Sequence, residues 1–83
     1  GIFPVGTLAI LDTFEMAVVV AKNPEKLNQP FVKIVSDNLG IMIVDPPTVD
    51  LSETDPATSQ PKRSIIKTVS PEKYGIRVSD YFV

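Results

Sequence analysis

Few residues of this chain have side chains suited to catalysis or metal binding. The sequence contains no His and no Cys, which removes the usual general base, the usual partner of a nucleophilic serine and the commonest zinc ligands. The lysines could act as nucleophiles only if they were desolvated, and no pattern marks a buried lysine. We therefore expect that this chain is not an enzyme by itself and that it uses no cofactor.

The densest group of oxygen ligands is Asp50, Ser52, Glu53 and Asp55. A calcium-binding loop of the EF-hand type needs Gly at its sixth position and Glu at its twelfth. Counted from Asp50, these positions hold Asp55 and Pro61. The spacing therefore favours a solvated acidic loop over a calcium site. The four glycines are isolated from one another, so no glycine-rich phosphate loop is predicted either.

The charges are unevenly distributed, although the net charge is only −2. Residues 45–55 contain four acids and no base, whereas residues 62–77 contain five bases and one acid. Either the two stretches lie near each other or in water, or the second forms a basic face for an anionic partner. The acidic net charge argues against nucleic-acid binding. The candidate basic-aromatic residues are Lys62, Arg63, Lys67, Lys73, Tyr74 and Arg77.

The elements that must position these residues are predicted to be strands. The chain has 11 Val and 8 Ile against 11 Leu, Ala and Met together, and β-branched residues favour strands. Eight prolines divide the chain, and no segment free of Pro shows helical periodicity over 11 or more residues. We predict strands at 7–12, 15–22, 31–36, 41–44 and 64–69, turns at 12–14 and 37–40, a short extended piece at 48–51 and a mobile surface loop at 52–62. The second strand is apolar on both faces, which is typical of a central strand.

The C-terminal residues predict a single helical turn. Ser70 is suited to capping it, Pro71 to its first position and Gly75 to its end. The tail ends in Tyr81, Phe82 and Val83, so it either folds back on the core or forms a contact surface. Together these signals predict one all-β domain over 1–83, an SH3-like antiparallel barrel of about five short strands with a C-terminal helical turn.

Seven short segments occur in an order that resembles a known family. They are residues 3–8 (FPVGTL), 15–20 (EMAVVV), 23–24 (NP), 29–33 (QPFVK), 46–47 (PP), 49–52 (VDLS) and 74–76 (YGI). The set resembles the segment that follows the catalytic domain in bacterial HD-GYP-type metal-dependent phosphohydrolases. The motif residues are Pro4, Gly6, Glu15, Asn23, Pro24, Pro47, Asp50 and Gly75, and we interpret them as determining the fold rather than forming a site.

The resemblance implies a non-catalytic accessory or regulatory domain of a cytoplasmic signalling enzyme. The neighbouring catalytic domain would hold the metal centre and cleave cyclic di-GMP, so no catalytic residue is carried over onto this chain. The implied partner is that upstream domain of the same polypeptide, or a second copy in a homodimer. The family usually has Gly just before the residue that corresponds to Glu15, whereas this chain has Phe14 there. The bulk of Phe14 would change the turn and would expose an apolar side chain.

Two further expectations concern the whole protein. The chain begins at Gly1 and shows neither a secretory signal nor an apolar run long enough to span a bilayer. We therefore expect a fragment of a longer protein that does not enter a membrane. The alternative function is a small-barrel module that binds nucleic acid or a nucleotide second messenger through the basic-aromatic residues.

Overall fold

A computed structural model describes residues 2–82 of the chain. Its strands are β1 (Leu8–Leu11), β2 (Met16–Ala21), β3 (Phe31–Ser36), β4 (Thr48–Asp50) and β5 (Ile65–Val69). Two 3₁₀ helices follow, at Pro71–Tyr74 and Val78–Phe82. No α-helix is present between residues 2 and 82.

The strands form one antiparallel sheet in the order β4-β3-β2-β1-β5. This is the SH3-like order, with β2 at the centre, and it confirms the predicted all-β fold and its C-terminal helical turn. The register shifts between Ile10 and Leu11, between Met16 and Ala17, and between Val19 and Ala21. Such irregularities bend strands and increase their twist, which curls a small sheet around a core.

Both faces of the central strands are buried, because side chains alternate along a strand. One face carries the inner cluster, which consists of Leu11, Ala17, Val19, Val32, Ile34 and Leu51. The other face carries the outer cluster, which consists of Leu8, Met16, Val18, Val35 and Ile76. The prediction that the second strand is central and apolar on both faces is therefore confirmed.

The C-terminal segment covers the outer cluster. Ile76 is a buried member of it, and Val78 and Tyr81 pack against it. The Lys33 Nζ donates a 3.0 Å hydrogen bond to the carbonyl oxygen of Tyr81, which ties this segment to β3. Of the two alternatives for the apolar tail, folding back on the core holds for Tyr81, whereas Phe82 remains about half exposed.

The predicted fourth strand at 41–44 is wrong, and β4 lies at Thr48–Asp50 instead. Two contacts hold the 41–44 segment beside β3. Met42 forms an isolated β-bridge with Ser36, and the Ile43 amide donates a hydrogen bond to the Val35 carbonyl. Pro46 and Pro47 then redirect the chain, because proline fixes φ and lacks an amide donor. The chain pairs with β3 again only beyond these prolines.

The turn chemistry at the C-terminus is partly as predicted. Gly75 ends the first 3₁₀ helix with φ 65°, in the left-handed region that glycine tolerates. Ser70 makes no side-chain capping bond; its hydroxyl donates to the Glu72 carboxylate instead. The hydroxyl therefore binds a side chain two residues ahead rather than a backbone amide.

The described part of the chain, residues 2–82, contains no helix that is both long and apolar enough to cross a bilayer.

Candidate functional site

Four chain segments meet at one end of the sheet. β1 ends there, β2 begins, β3 ends and β5 begins, because each of these neighbouring pairs is antiparallel. The meeting point forms an open depression of about 320 Å³. It is lined by Thr13 and Glu15 of the β1–β2 turn, Asp37 and Asn38 of the segment after β3, and Arg63 before β5.

Glu15 is the centre of a hydrogen-bond network on the floor of this depression. The Arg63 Nε donates a 2.8 Å bond to Glu15 Oε1, and the Thr13 hydroxyl donates a 2.6 Å bond to the same oxygen. Partial burial raises the pKa of Glu15, but the bonds from Arg63 and Thr13 and the Arg63 charge outweigh it and hold the pKa below its ordinary value. Glu15 is therefore an ionised structural anchor rather than a proton donor at neutral pH.

A second set of bonds fixes Arg63 beside the turn. The Asp12 amide donates a 2.8 Å bond to the Ser64 carbonyl, and the Ser64 amide donates a 3.1 Å bond to Asp12 Oδ1. These reciprocal bonds join the end of β1 to the approach to β5. They explain how residues far apart in the sequence line one depression.

Phe14 stands at the tip of the β1–β2 turn in an unusual conformation. Its φ is 68°, a left-handed value that is rare for a bulky residue. Its amide donates a 2.9 Å bond to the Leu11 carbonyl, which closes the turn. The aromatic side chain is 69% exposed. The sequence prediction of a tight turn that exposes Phe14 is therefore confirmed.

The segment after β3 carries more exposed apolar side chains. Asp37 Oδ1 accepts bonds from the amides of Leu39 (2.8 Å) and Ile41 (3.0 Å), and Gly40 takes φ 84°. This arrangement makes a tight loop whose apex, Leu39, is 79% exposed. Local hydrogen bonds stabilise the loop, because one carboxylate oxygen accepts bonds from two of its amides.

We define the apolar end surface by the exposed apolar residues of these two loops. They are Phe14, Leu39, Ile41, Met42 and Val44. The two loops border the same depression, since Thr13 and Glu15 flank Phe14 and Asp37 and Asn38 precede Leu39. Ile43 points the other way and packs against the inner cluster, which leaves Met42 and Val44 facing outwards.

The motif residues of the sequence pattern take part in turns and local bonds. The Pro4 carbonyl accepts the Thr7 amide (3.1 Å), Gly6 has φ 97°, and the Pro47 carbonyl accepts the Ile34 amide (2.9 Å). Asn23 Nδ2 donates to the Gln29 carbonyl at 3.3 Å and lies 3.5 Å from Asp50 Oδ1.

Asp50 and the acidic stretch serve the loop that contains them. Asp50 Oδ1 accepts bonds from the Ser52 hydroxyl (2.6 Å) and the Ser52 amide (2.8 Å), and these bonds lower the pKa of Asp50. Pro24 lies exposed in the β2–β3 loop. Across residues 2–82, no group of three or more acidic side chains is arranged to hold a metal ion.

The basic residues are divided between paired and exposed positions. Arg63 binds Glu15, and Lys62 forms a 3.4 Å ion pair with Glu53 of the acidic stretch. The acidic and basic stretches are therefore in contact at that point. Lys67 on β5, Lys73 in the first 3₁₀ helix and Arg77 after it are exposed and form no ion pair with residues 2–82. Tyr74 is about half exposed beside Lys73.

Sequence reasoning missed most of the apolar end surface. The sequence predicts a turn at Leu39 and a strand at residues 41–44. Such a strand would bury about half of the side chains of residues 41–44, whereas three of the four are exposed. One sequence feature could have indicated this. Asp37 and Gly40 precede residues 41–44, and Pro46 and Pro47 follow them, a combination that permits a short loop but no continuous strand pairing.

Comparison with known proteins identifies no relative of the chain. No family model, curated protein or solved structure shows significant similarity to the chain.

Proposed function

We propose that this chain is a non-catalytic accessory domain that binds a protein through its apolar end surface. The observation that carries the proposal is the exposure of five large apolar side chains on two adjoining loops at one end of the sheet. Contiguous apolar surface with a polar border is typical of protein interaction sites. Aromatic residues such as Phe14 are enriched in such interfaces.

The roles of the polar groups support binding rather than catalysis. The carboxylates of Glu15, Asp50 and Glu72 all accept hydrogen bonds, and in each case the donors stabilise the charged form and lower the pKa. A general acid needs the opposite shift, towards a higher pKa. Arg63 is held by Glu15, and Lys62 lies next to Glu53. The Glu15–Arg63 pair stabilises the turn that presents Phe14. The bonds of Asp50 and Glu53 stabilise the acidic stretch.

The sequence resemblance suggests the partner. In the HD-GYP-type arrangement, the partner would be the catalytic domain that precedes this chain in the same polypeptide, or a second copy of the protein. Phe3 and Ile43 both pack against the inner cluster. Phe3, near the N-terminal end of the described residues, therefore lies on the same face of the sheet as Ile43, which follows the loop that carries Leu39.

The test uses the full-length protein that contains this chain. We expect that deleting residues 1–83 changes its assembly state or its phosphodiesterase activity. The double substitution Phe14→Ser and Leu39→Ser should reproduce that change without unfolding the domain, because both side chains are exposed. The matched control is Leu27→Ser, in the exposed β2–β3 loop at the opposite end of the sheet. Unchanged assembly and activity after deletion would refute the accessory role.

A second candidate function is binding of nucleic acid or a nucleotide second messenger. The observation that favours it is the exposure of Lys67, Lys73 and Arg77 with Tyr74 nearby. Salt-sensitive chemical-shift changes at these residues on titration with RNA, DNA or cyclic di-GMP would support it. Flat titrations with all three would remove it.

A further inference from the structure

The charges around the apolar end surface have one predominant sign. Asp12 lies in the Phe14 turn, Asp37 supports the Leu39 loop, and Asp45 follows Val44. We call these three residues the carboxylate rim. Asp45 is exposed, and Asp12 is exposed although its Oδ1 accepts the Ser64 amide.

The nearby bases do not neutralise this rim. The Arg63 charge is matched by Glu15 at 2.8 Å, and the Lys62 charge is matched by Glu53 at 3.4 Å. The three rim carboxylates form no ion pair with residues 2–82, and Lys67, which pairs with Ile10 on the neighbouring strand, is the one further base close to Asp12 in the strand register. A partner that covers this surface must bring compensating charge, since burying unpaired carboxylates is costly.

We propose that the apolar end surface binds a protein segment in which apolar side chains are flanked by Lys or Arg. This inference rests on the proposed function and adds the chemistry of the partner. Phe14 would be its central anchor, because it is exposed at the tip of a turn whose flanking residues, Thr13 and Glu15, line the depression. The depression of about 320 Å³ beside Phe14 is large enough to take one partner side chain.

The same charges disfavour a second copy as the occupant. A two-fold interface places the same surface on both partners. Two carboxylate rims would then face each other, and like charges across an interface are unfavourable. The proposed occupant is therefore a different, basic segment, and self-association is an outcome that the experiment can detect.

The experiment titrates the isotopically labelled 83-residue chain with three short synthetic peptides. All three share the same Leu and Phe positions, and the remaining positions are Lys in one peptide, Gln in the second and Glu in the third. We expect the Lys peptide to bind about tenfold tighter than the Glu peptide. Its chemical-shift changes should centre on Phe14, Leu39 and Ile41, and its affinity should fall by about threefold between low and moderate salt.

Two variants locate the charge effect. Asp45→Lys should weaken the Lys peptide by about threefold and strengthen the Glu peptide, whereas Glu25→Lys, in the β2–β3 loop at the other end of the sheet, should change neither. Phe14→Ser should weaken all three peptides. Shifts centred on the acidic residues 50–55, or a concentration-dependent dimer of the free chain through Phe14, would overturn the proposal.

The outcomes separate this inference from the proposed function. Equal binding of all three peptides at Phe14 and Leu39 would overturn the basic partner but leave a docking surface in place. If none of the three peptides binds, the proposal of a basic partner is also overturned. The accessory role would then be decided by the deletion and surface variants of the full-length protein.

Discussion

The guanidinium of Arg63 lies against the carboxylate of Glu15, 48 positions earlier in the chain, with 2.8 Å between Nε and Oε1. This contact joins the approach to β5 to the β1–β2 turn, at the end of the sheet that carries the exposed apolar residues. Both side chains are partly buried, so the pair is better shielded from solvent than a fully exposed ion pair. It holds the turn that presents Phe14.

Glu15→Gln should destabilise the domain in a pH-dependent way. The folded-state pKa of Glu15 lies below its ordinary value of 4.5. Its contribution is therefore present above that value and is lost as the pH falls through the folded-state pKa. We expect a loss of about 1–2 kcal/mol at neutral pH that shrinks in acid, measured by urea unfolding. An equal loss of unfolding free energy at neutral and at acidic pH would contradict the ion-pair role. Glu25→Gln, at an exposed position, serves as the control.

Phe14→Gly should stabilise the domain while removing a surface side chain. Glycine relieves the left-handed strain of about 1–2 kcal/mol, although its greater freedom in the unfolded chain offsets about 0.5–1 kcal/mol. The net gain of about 0.5–1 kcal/mol corresponds to a rise of roughly 3–6 °C in Tm. Phe14→Ala keeps the Cβ and should show no such rise. A lower Tm for the glycine variant would show that the aromatic ring stabilises the fold.

Ile76→Ala should destabilise the domain as a core substitution does. Ile76 lies beyond the last strand, yet it is buried in the outer cluster. Removing buried methyl groups leaves a cavity, and we expect a loss of about 2–4 kcal/mol. The exposed Ile66→Ala on β5 should cost less than about 0.5 kcal/mol. Similar values for the two variants, measured by denaturant unfolding, would mean that the C-terminal segment is not part of the cooperative unit.

Ser36→Ala should be costly although it removes a single oxygen. The buried Ser36 hydroxyl accepts the Met16 amide at 3.2 Å and donates to the Asp37 carbonyl at 3.1 Å. Its loss leaves two backbone groups without that partner, at a cost of about 1–3 kcal/mol. The Met16 amide should also exchange its hydrogen faster. Ser79→Ala, at an exposed position, serves as the control and should leave both quantities unchanged.

Much of the fold could be predicted from local sequence patterns. The strands around Leu8, Val18 and Ile34 follow from short apolar runs bounded by turn residues, because alternation and turn chemistry act over a few residues. The turn at Phe14 and the helical turn that ends at Gly75 were predicted for the same reason. The 41–44 error also has a local cause: an apolar run looks like a strand whether or not a neighbour is free to pair with it.

The HD-GYP-type resemblance remains a prediction, and so do the partner and the assembly state that it implies. The motif residues do have structural roles that the sequence allowed. Gly6 and Gly75 take positive φ values, as their positions in turns suggested. Ser70, in contrast, donates its hydroxyl proton to the Glu72 carboxylate, and its oxygen accepts no backbone amide of the helical turn.

The sequence by itself determined the class of fold, the central position of the second strand and the absence of His and Cys chemistry. These depend on composition and on alternation along single segments. Only the tertiary structure decided that Arg63 meets Glu15, that Ile76 and Tyr81 pack in the outer cluster, and that the residues next to Phe14 and Leu39 line one depression. The physical reason is that these contacts join residues distant in the chain, and strand order and register, rather than local preference, set which distant residues meet.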